Sequence, residues 1–371
     1  MFYKRLSVIE IENSTICNAR CPQCLREELG PDGYEQTYLP VEFFENNIPQ
    51  HVYDQLEKIH FGGTLGDPCA APNFLEVIDV VKKKNPNTKI TVSTNGGMKT
   101  AEWWTALANK LSPNDRILFA IDGLEDTNHI YRVNVSWNNL IKNVRAFIDA
   151  GGNAGWQFIV FKHNQHQKDE ARLIAKELGF KEFVLKKSHR FPMSEVKGIK
   201  IVGSDNITIE PSTDPEFISV PILMPKPATW REETAHLKIN CDAQQEQSAY
   251  IDVQGRLYPC CYIASAVHQY DTPMGRSVNQ GWTSLWTEYG DSKINLNHHS
   301  WNEVIDGMFF KEVKRKWDDD RIVVCTFFCG ANAKSPWSDT TDLKISQSTQ
   351  ISYKAEVLIR RSTKLLYRFE F

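Results

Sequence analysis

The sequence lacks an excess of charge of either sign: 43 basic residues stand against 46 acidic ones, a net charge of −3. General polyanion binders carry a large positive surplus, so nucleic acid is not an expected partner. No apolar run approaches the roughly 18 residues of a membrane span, and the N-terminal stretch MFYKRLSVIEIENST has no apolar core of a secretory signal. No membrane partner and a cytoplasmic location are therefore expected. Internal repeats and low-complexity tracts are also missing. Material for a core is present, with 371 residues of which 41% are apolar and 24% charged. An even cysteine count is missing too: there are nine, so complete intramolecular pairing is excluded. In a reducing compartment, clustered cysteines hold metal or carry out redox chemistry more often than they form disulfides.

Short apolar runs alternate with amphipathic stretches through the first half. Strands are expected at 6–12, 57–61, 89–93, 116–121, 156–161 and 182–186. Helices are expected between them at 41–56, 73–85, 101–111, 137–150 and 167–178. In 137–150, Leu140, Val144 and Phe147 share one face, and Gly151-Gly152 supplies a stop. Strands alternating with helices imply parallel βαβ units. The expected fold class is α/β, a partial (β/α)6 TIM-like barrel with its functional end at the strands' C-termini. After about residue 190 the rhythm stops. A hairpin near 199–209, another at 249–262 turning at Gln254-Gly255, and a helix over 301–317 are the remaining signals.

Cys17, Cys21 and Cys24 form a C-x3-C-x2-C group directly after the first strand. Three thiolates on so short a loop can share an iron–sulfur cubane and leave one iron open. Zinc is the alternative, with His51 or His60 as a fourth ligand. Gly-containing loops then end the next three strands: Gly62-Gly63-Thr64-Leu65-Gly66-Asp67-Pro68, Thr94-Asn95-Gly96-Gly97 and Asp122-Gly123, the last followed by Tyr131-Arg132. Cys69 reads as a half-buried structural thiol, and His163, His166 and His189 as structural or solvated. The Lys186–Arg190 run reads as a rim that is either solvated or binds an acidic group.

On these residues the sequence resembles the radical S-adenosylmethionine (radical SAM) superfamily over roughly residues 5–190. The resemblance implies that Cys17, Cys21 and Cys24 hold a [4Fe-4S] cluster whose open iron chelates S-adenosyl-L-methionine (SAM). It implies cofactor contacts from Gly62, Gly63 and Thr64, from Asn95 and Asp122, from Arg132 to the SAM carboxylate, and from Gln157. Two positions depart from the family pattern: Thr64 replaces the usual Glu, and Gln23 replaces the aromatic residue before the third cysteine.

Cys241, Cys260 and Gly255 show a C-x13-G-x4-C spacing, with Cys325 and Cys329 farther on. This pattern resembles the start of the SPASM/twitch extension behind radical SAM barrels. It implies a small C-terminal α+β hairpin-and-helix domain holding one auxiliary [4Fe-4S] cluster, most simply on Cys241, Cys260, Cys325 and Cys329. Four ligands would close that cluster and three would leave an iron open, with Cys261 a spare or an alternative ligand. The expected organisation is a barrel at 1–190, a connection at 191–235, the cluster domain at 236–333 and a tail of unknown role at 334–371.

The activity so implied is reductive cleavage of SAM and hydrogen abstraction from a substrate C–H bond, fed by a low-potential donor such as flavodoxin or ferredoxin. The leading expectation is a maturase-type oxidoreductase that modifies a peptide or protein side chain. No leader-peptide-binding domain precedes the first strand, which counts against that choice. The alternatives are dehydrogenation or rearrangement of a small polar metabolite, polyol or nucleotide-like, and a non-catalytic zinc or iron–sulfur protein.

Overall fold

The computed structural model describes residues 2, 3, 5–188, 191, 199–200, 208–218, 236–268, 282–318, 321–330 and 340–344. Six strands form in the first half: β1 (Val8–Ile11), β2 (Lys58–Phe61), β3 (Lys89–Thr94), β4 (Arg116–Ala120), β5 (Ala154–Val160) and β6 (Glu182–Lys187). Each pairs in parallel with the next. Their two faces separate by residue type, as the two-residue period of a strand requires. One face carries Ile9, Ile11, Ile59, Phe61, Ile90, Val92, Ile117, Phe119 and Trp156, all fully buried. Helices cover this face through ring contacts. Phe74 of helix Phe74–Lys84 meets Phe61 at 5.2 Å, and Trp104 of helix Ala101–Lys110 meets Phe119 at 5.2 Å. Phe147 of helix Trp137–Asp149 meets Phe119 at 5.9 Å. The opposite face carries Glu10, His60, Ser93, Arg116, Gln157, Glu182 and Lys186, a polar set on the concave side of the sheet.

The sheet is larger than the six expected strands. Ser248–Ile251 (β9 in chain order) pairs in parallel with β1, and Leu257–Tyr258 (β10) pairs antiparallel with β9. Thr340–Lys344 (β11) runs antiparallel along β6. The result is an open, mostly parallel sheet in the order β10-β9-β1-β2-β3-β4-β5-β6-β11, with helices against it. A short ribbon of Ile199–Lys200 (β7) and Thr208–Ile209 (β8) stands apart from it, where a hairpin was expected. The hairpin β9–β10 turns at Gly255, whose φ of +80° suits a residue without a side chain.

Two helices expected as single pieces are broken. The stretch 41–56 divides into Val41–Asn46 and Gln50–Tyr53, because Pro49 has no N–H to continue the first helix. The stretch 301–317 divides into Trp301–Ile305 and Met308–Arg315. Gly307 sits at that break with its Cα so close that a Cβ would stand 2.8 Å from the Glu303 carbonyl oxygen. Cys69 is fully buried rather than half-buried. His189, Arg190, most of 191–235 and 345–371 lie outside the described residues.

Trp156 anchors the covered face: it is fully buried, lies 5.4 Å from Phe180, and donates its indole N–H to the Ile121 carbonyl at 2.8 Å. Replacing it by alanine is expected to cost about 3–5 kcal/mol through lost burial and the cavity left behind. Chemical denaturation followed by far-UV circular dichroism checks this, and an unchanged midpoint contradicts it.

Candidate functional site

The loop after β1 is folded by its own backbone and by side chains from elsewhere. The Cys24 N–H donates to the Cys21 carbonyl at 2.8 Å, and the Glu27 N–H to the Cys24 carbonyl at 3.0 Å, which turns the chain into helix Leu25–Leu29. The Arg26 guanidinium caps the loop by donating to the carbonyls of Cys17 (3.3 Å) and Ala19 (3.1 Å). Ser188, at the end of β6, donates to the Gln23 side-chain oxygen at 2.8 Å, so the loop reaches across to the far side of the parallel strands.

The loops after β2, β3 and β4 close on it. Gly66 lies against the chain after β1, where a Cβ would stand 1.8 Å from the Ser14 carbonyl oxygen; only glycine fits. Glu12, fully buried, accepts from the Leu65 N–H at 2.5 Å. Asp67 accepts from the backbone N–H groups of Cys69 (3.0 Å) and Asn95 (2.8 Å) and from the Thr94 hydroxyl (2.9 Å). Asn95 in turn donates to the Asn18 side chain at 3.0 Å and to the Cys17 sulfur at 3.5 Å. Asp122 accepts from the Ile159 N–H at 2.5 Å and from Arg132 Nε at 2.6 Å, and Arg132 Nη1 donates to the Cys21 sulfur at 3.5 Å.

Cys17, Cys21, Asn95, Asp122 and Arg132 therefore form one connected group, with the three thiols on one loop. Gly62 and Gly63 lie beside it at the end of β2, and the Gly62 N–H donates to the Ile11 carbonyl at 3.2 Å. The Thr64 hydroxyl lies 3.2 Å from that of Tyr250 on β9. Gln157 is half-buried on the concave face, in register with Ala120. Asp67, Arg26, Asn18 and Glu12 were not singled out from the sequence. They are single polar residues, and only the Asp67 position beside a Gly-Pro loop gave any local signal.

The surroundings of Cys17 and Cys21 favour the neutral thiol. Burial, with Asp67 nearby, pushes Cys17 up to about 12, and burial raises Cys21 against the pull of Arg132. At these two positions a bound metal's positive charge would favour the thiolate. Asp122 is raised by burial and held back by Arg132, whose own value goes up because of Asp122 despite its burial.

A second group of thiols lies behind the β9–β10 hairpin. Cys241, Cys260, Cys325 and Cys329 line one small cavity of about 20 Å³, together with apolar residues that include Phe2, Ile263 and Phe328. Cys325 and Cys329 lie one turn apart on helix Val323–Cys329. The hydrogen bond between Cys241 and Cys329 raises the first and lowers the second, and burial pushes Cys260 up to about 12 and raises Cys325 strongly. Cys261 does not line this cavity. Its thiol hydrogen-bonds the Glu10 carboxyl on the concave face, so adjacent cysteines point into different compartments. Glu10 is pushed up to about 7 by burial, and the same cause brings His60 down to about 4. Among the described residues, no three His, Cys, Asp or Glu side chains converge as ligands of a single metal ion.

An open, mostly parallel sheet whose first loop presents three thiols, braced by the next three loops, defines an α/β domain with its thiols at the C-terminal ends of the strands. Residues 11–175 match the family model of the Radical SAM superfamily. The "Tungsten-containing aldehyde ferredoxin oxidoreductase cofactor-modifying protein" of Pyrococcus furiosus is 22% identical over 284 residues, 74% of this chain and 76% of that protein. GTP 3',8-cyclase of Actinobacillus pleuropneumoniae is 31% identical over 94 residues, 25% of this chain and 26% of that protein. Among solved structures, native anSMEcpe with bound AdoMet is similar with a TM-score of 0.53 and 14% identity, covering 98% of this chain and 100% of that one. The same protein with bound AdoMet and Cp18Cys peptide gives 0.51 and 14%, covering 85% and 84%. These likenesses carry the fold. No helix among the described residues is long and apolar enough to cross a membrane.

Asp67 bears the largest share of the bracing, so Asp67→Ala strands several buried donors at once. A loss on the order of 3 kcal/mol is expected, read as a lowered urea midpoint. A loss below about 0.5 kcal/mol, the size of an ordinary surface substitution, contradicts the assignment.

Proposed function

We propose that the protein is a radical SAM enzyme of oxidoreductase or maturase type that modifies a peptide or protein side chain. The residues present fit the groups that the superfamily implies. Cys17, Cys21 and Cys24 offer three sulfurs on one loop, and two N–H donors already point at those sulfurs. When bound there, a [4Fe-4S] cluster and SAM supply reductive cleavage to a 5′-deoxyadenosyl radical that takes hydrogen from a substrate C–H bond. The chain's own residues bind and orient. The backbone at Gly62 and Gly63 meets the SAM amino group, and Thr64 stands where an ionic contact would otherwise be. Arg132 would meet the carboxylate, and Asn95, Asp122 and Gln157 would serve the ribose, cofactor or substrate. The reading divides the chain into a barrel at 1–190, a connection at 191–235, a SPASM/twitch-like domain at 236–333 and a tail at 334–371.

The observation that carries the reading furthest is the four-thiol cavity. Cys241, Cys260 and the Cys325/Cys329 pair come from three separate segments, and around them the walls are apolar. Four thiols with apolar neighbours, Cys325 buried and the other three partly exposed, suit a closed auxiliary [4Fe-4S] cluster, whose surroundings and hydrogen bonding set its potential. The chain's part is to exclude water and to bring this centre up beside β1. Reduction from outside calls for a low-potential flavodoxin or ferredoxin, consistent with a cytoplasmic enzyme. The peptide bound to the similar anSMEcpe structure supports the peptide reading. A second reading, action on a small polar metabolite or cofactor, is favoured by the names of the two sequence relatives, a cofactor-modifying protein and a cyclase of GTP.

Anaerobic reconstitution tests both centres. About eight irons per chain and 5′-deoxyadenosine formed from SAM under dithionite are the expected results. Zinc in place of iron, with no SAM cleavage, overturns the reading in favour of a non-catalytic metal protein. Cys241→Ala is expected to bring the iron content down by about half, the share of one four-iron cluster in two, and to leave SAM cleavage in place. Cys17→Ala is expected to abolish cleavage and keep the auxiliary iron.

A further inference from the structure

Asn95 and Arg132 were expected to contact SAM, yet the geometry commits a donor of each to sulfur. Asn95 has no freedom to flip. Its Oδ1 accepts from the Gly97 N–H at 2.8 Å and its own backbone N–H is held by Asp67 at 2.8 Å, so Nδ2 must face Asn18 and Cys17. Arg132 is fixed just as firmly. Nε is 2.6 Å from Asp122 Oδ2, Asp122 Oδ1 is anchored on the Ile159 N–H, and the Arg132 side chain is only 16% exposed. The Arg132–Asp122 pair is therefore a fixed dipole whose positive end lies 3.5 Å from the Cys21 sulfur.

A cluster gains an electron when it is reduced, and that electron is shared with its thiolate sulfurs. Donors aimed at those sulfurs stabilise the electron-rich state more than the oxidised one, which raises the reduction potential. Charged donors act more strongly than neutral ones. We propose that Asn95 and Arg132 set the potential of the first cluster by donating N–H···S hydrogen bonds to Cys17 and Cys21, Arg132 contributing the larger part. They are positioning residues that act through the cysteines, whatever contacts they also make to SAM. The inference rests on the reading that this loop holds an iron–sulfur cluster.

The test uses the full-length reconstituted protein in the absence of SAM, titrated reductively and followed by electron paramagnetic resonance. The signal that changes when SAM is added afterwards identifies the first cluster. Asn95→Asp keeps the acceptor for Gly97 and puts an oxygen where the donor was. Arg132→Met is combined with Asp122→Asn, so that no carboxylate is left buried without its partner. Both are expected to take up wild-type iron and to titrate at lower midpoint potentials, the arginine variant lower than the asparagine one. Arg132→Lys is expected to fall between it and wild type. Wild-type iron with unchanged midpoints in all three overturns the inference, and a loss confined to SAM affinity assigns Arg132 to SAM alone. If the combined variant takes up no iron, Asn95→Asp and Arg132→Lys decide the matter by the same shift. Wild-type protein that takes up no iron and shows no such signal defeats the cluster reading itself, a result that the midpoint comparison cannot produce.

Discussion

The loops after β2, β3 and β4 leave parallel strands where the backbone ladder stops, and at each a buried carboxylate takes up N–H groups the ladder no longer serves. Glu12 binds the loop after β2, Asp67 ties that loop to the one after β3, and Asp122 ties the loop after β4 to β5. Buried carboxylates without partners are costly, and buried N–H groups without acceptors are costly as well. Each is tolerable here because the other is present. Loops held this way cannot slide independently, so the three thiols inherit the rigidity of four strands. Asp252 repeats the device in the β9–β10 turn, accepting from the N–H groups of Gln254 and Arg256 and from the Tyr258 hydroxyl.

The same economy explains why the two thiol groups sit in unlike surroundings. Around Cys17 and Cys21 the neighbours are polar and partly charged, and the loop is reachable from the concave face. Around Cys241, Cys260, Cys325 and Cys329 they are aromatic and aliphatic, with Tyr262 stacked on Phe328 at 3.9 Å. Between Cys260 and Cys261 the backbone passes from the apolar thiol cavity to the side of the sheet that carries Glu10.

Local pattern was enough for the six parallel strands, each found within about two residues of its expected place. Their alternation of apolar and polar residues is dictated by one covered face and one open face. The cysteines were legible because metal chemistry constrains spacing. Pairing partners were not legible: nothing in Ser248–Ile251 announces a parallel neighbour 240 residues upstream, and Thr340–Lys344 has only weak strand character. The hydrogen bonds from Asn95 to Cys17 and from Arg132 to Cys21 join residues 78 and 111 positions apart, so motif reading assigned the right residues to one neighbourhood without saying what they touch. Helix breaks at Pro49 and Gly307 were available in the sequence and were overridden by periodicity.

Both edges of the six-stranded parallel core are covered by strands from the last third of the chain, β9 beside β1 and β11 beside β6. A ribosome delivers those covers last. At about 5–20 residues per second, the nascent chain spends on the order of ten seconds with two bare strand edges, each a template for unwanted pairing. Biogenesis of this protein is thus a race between translation and edge-to-edge association. Slow decoding of the C-terminal third would lengthen the exposure of both edges.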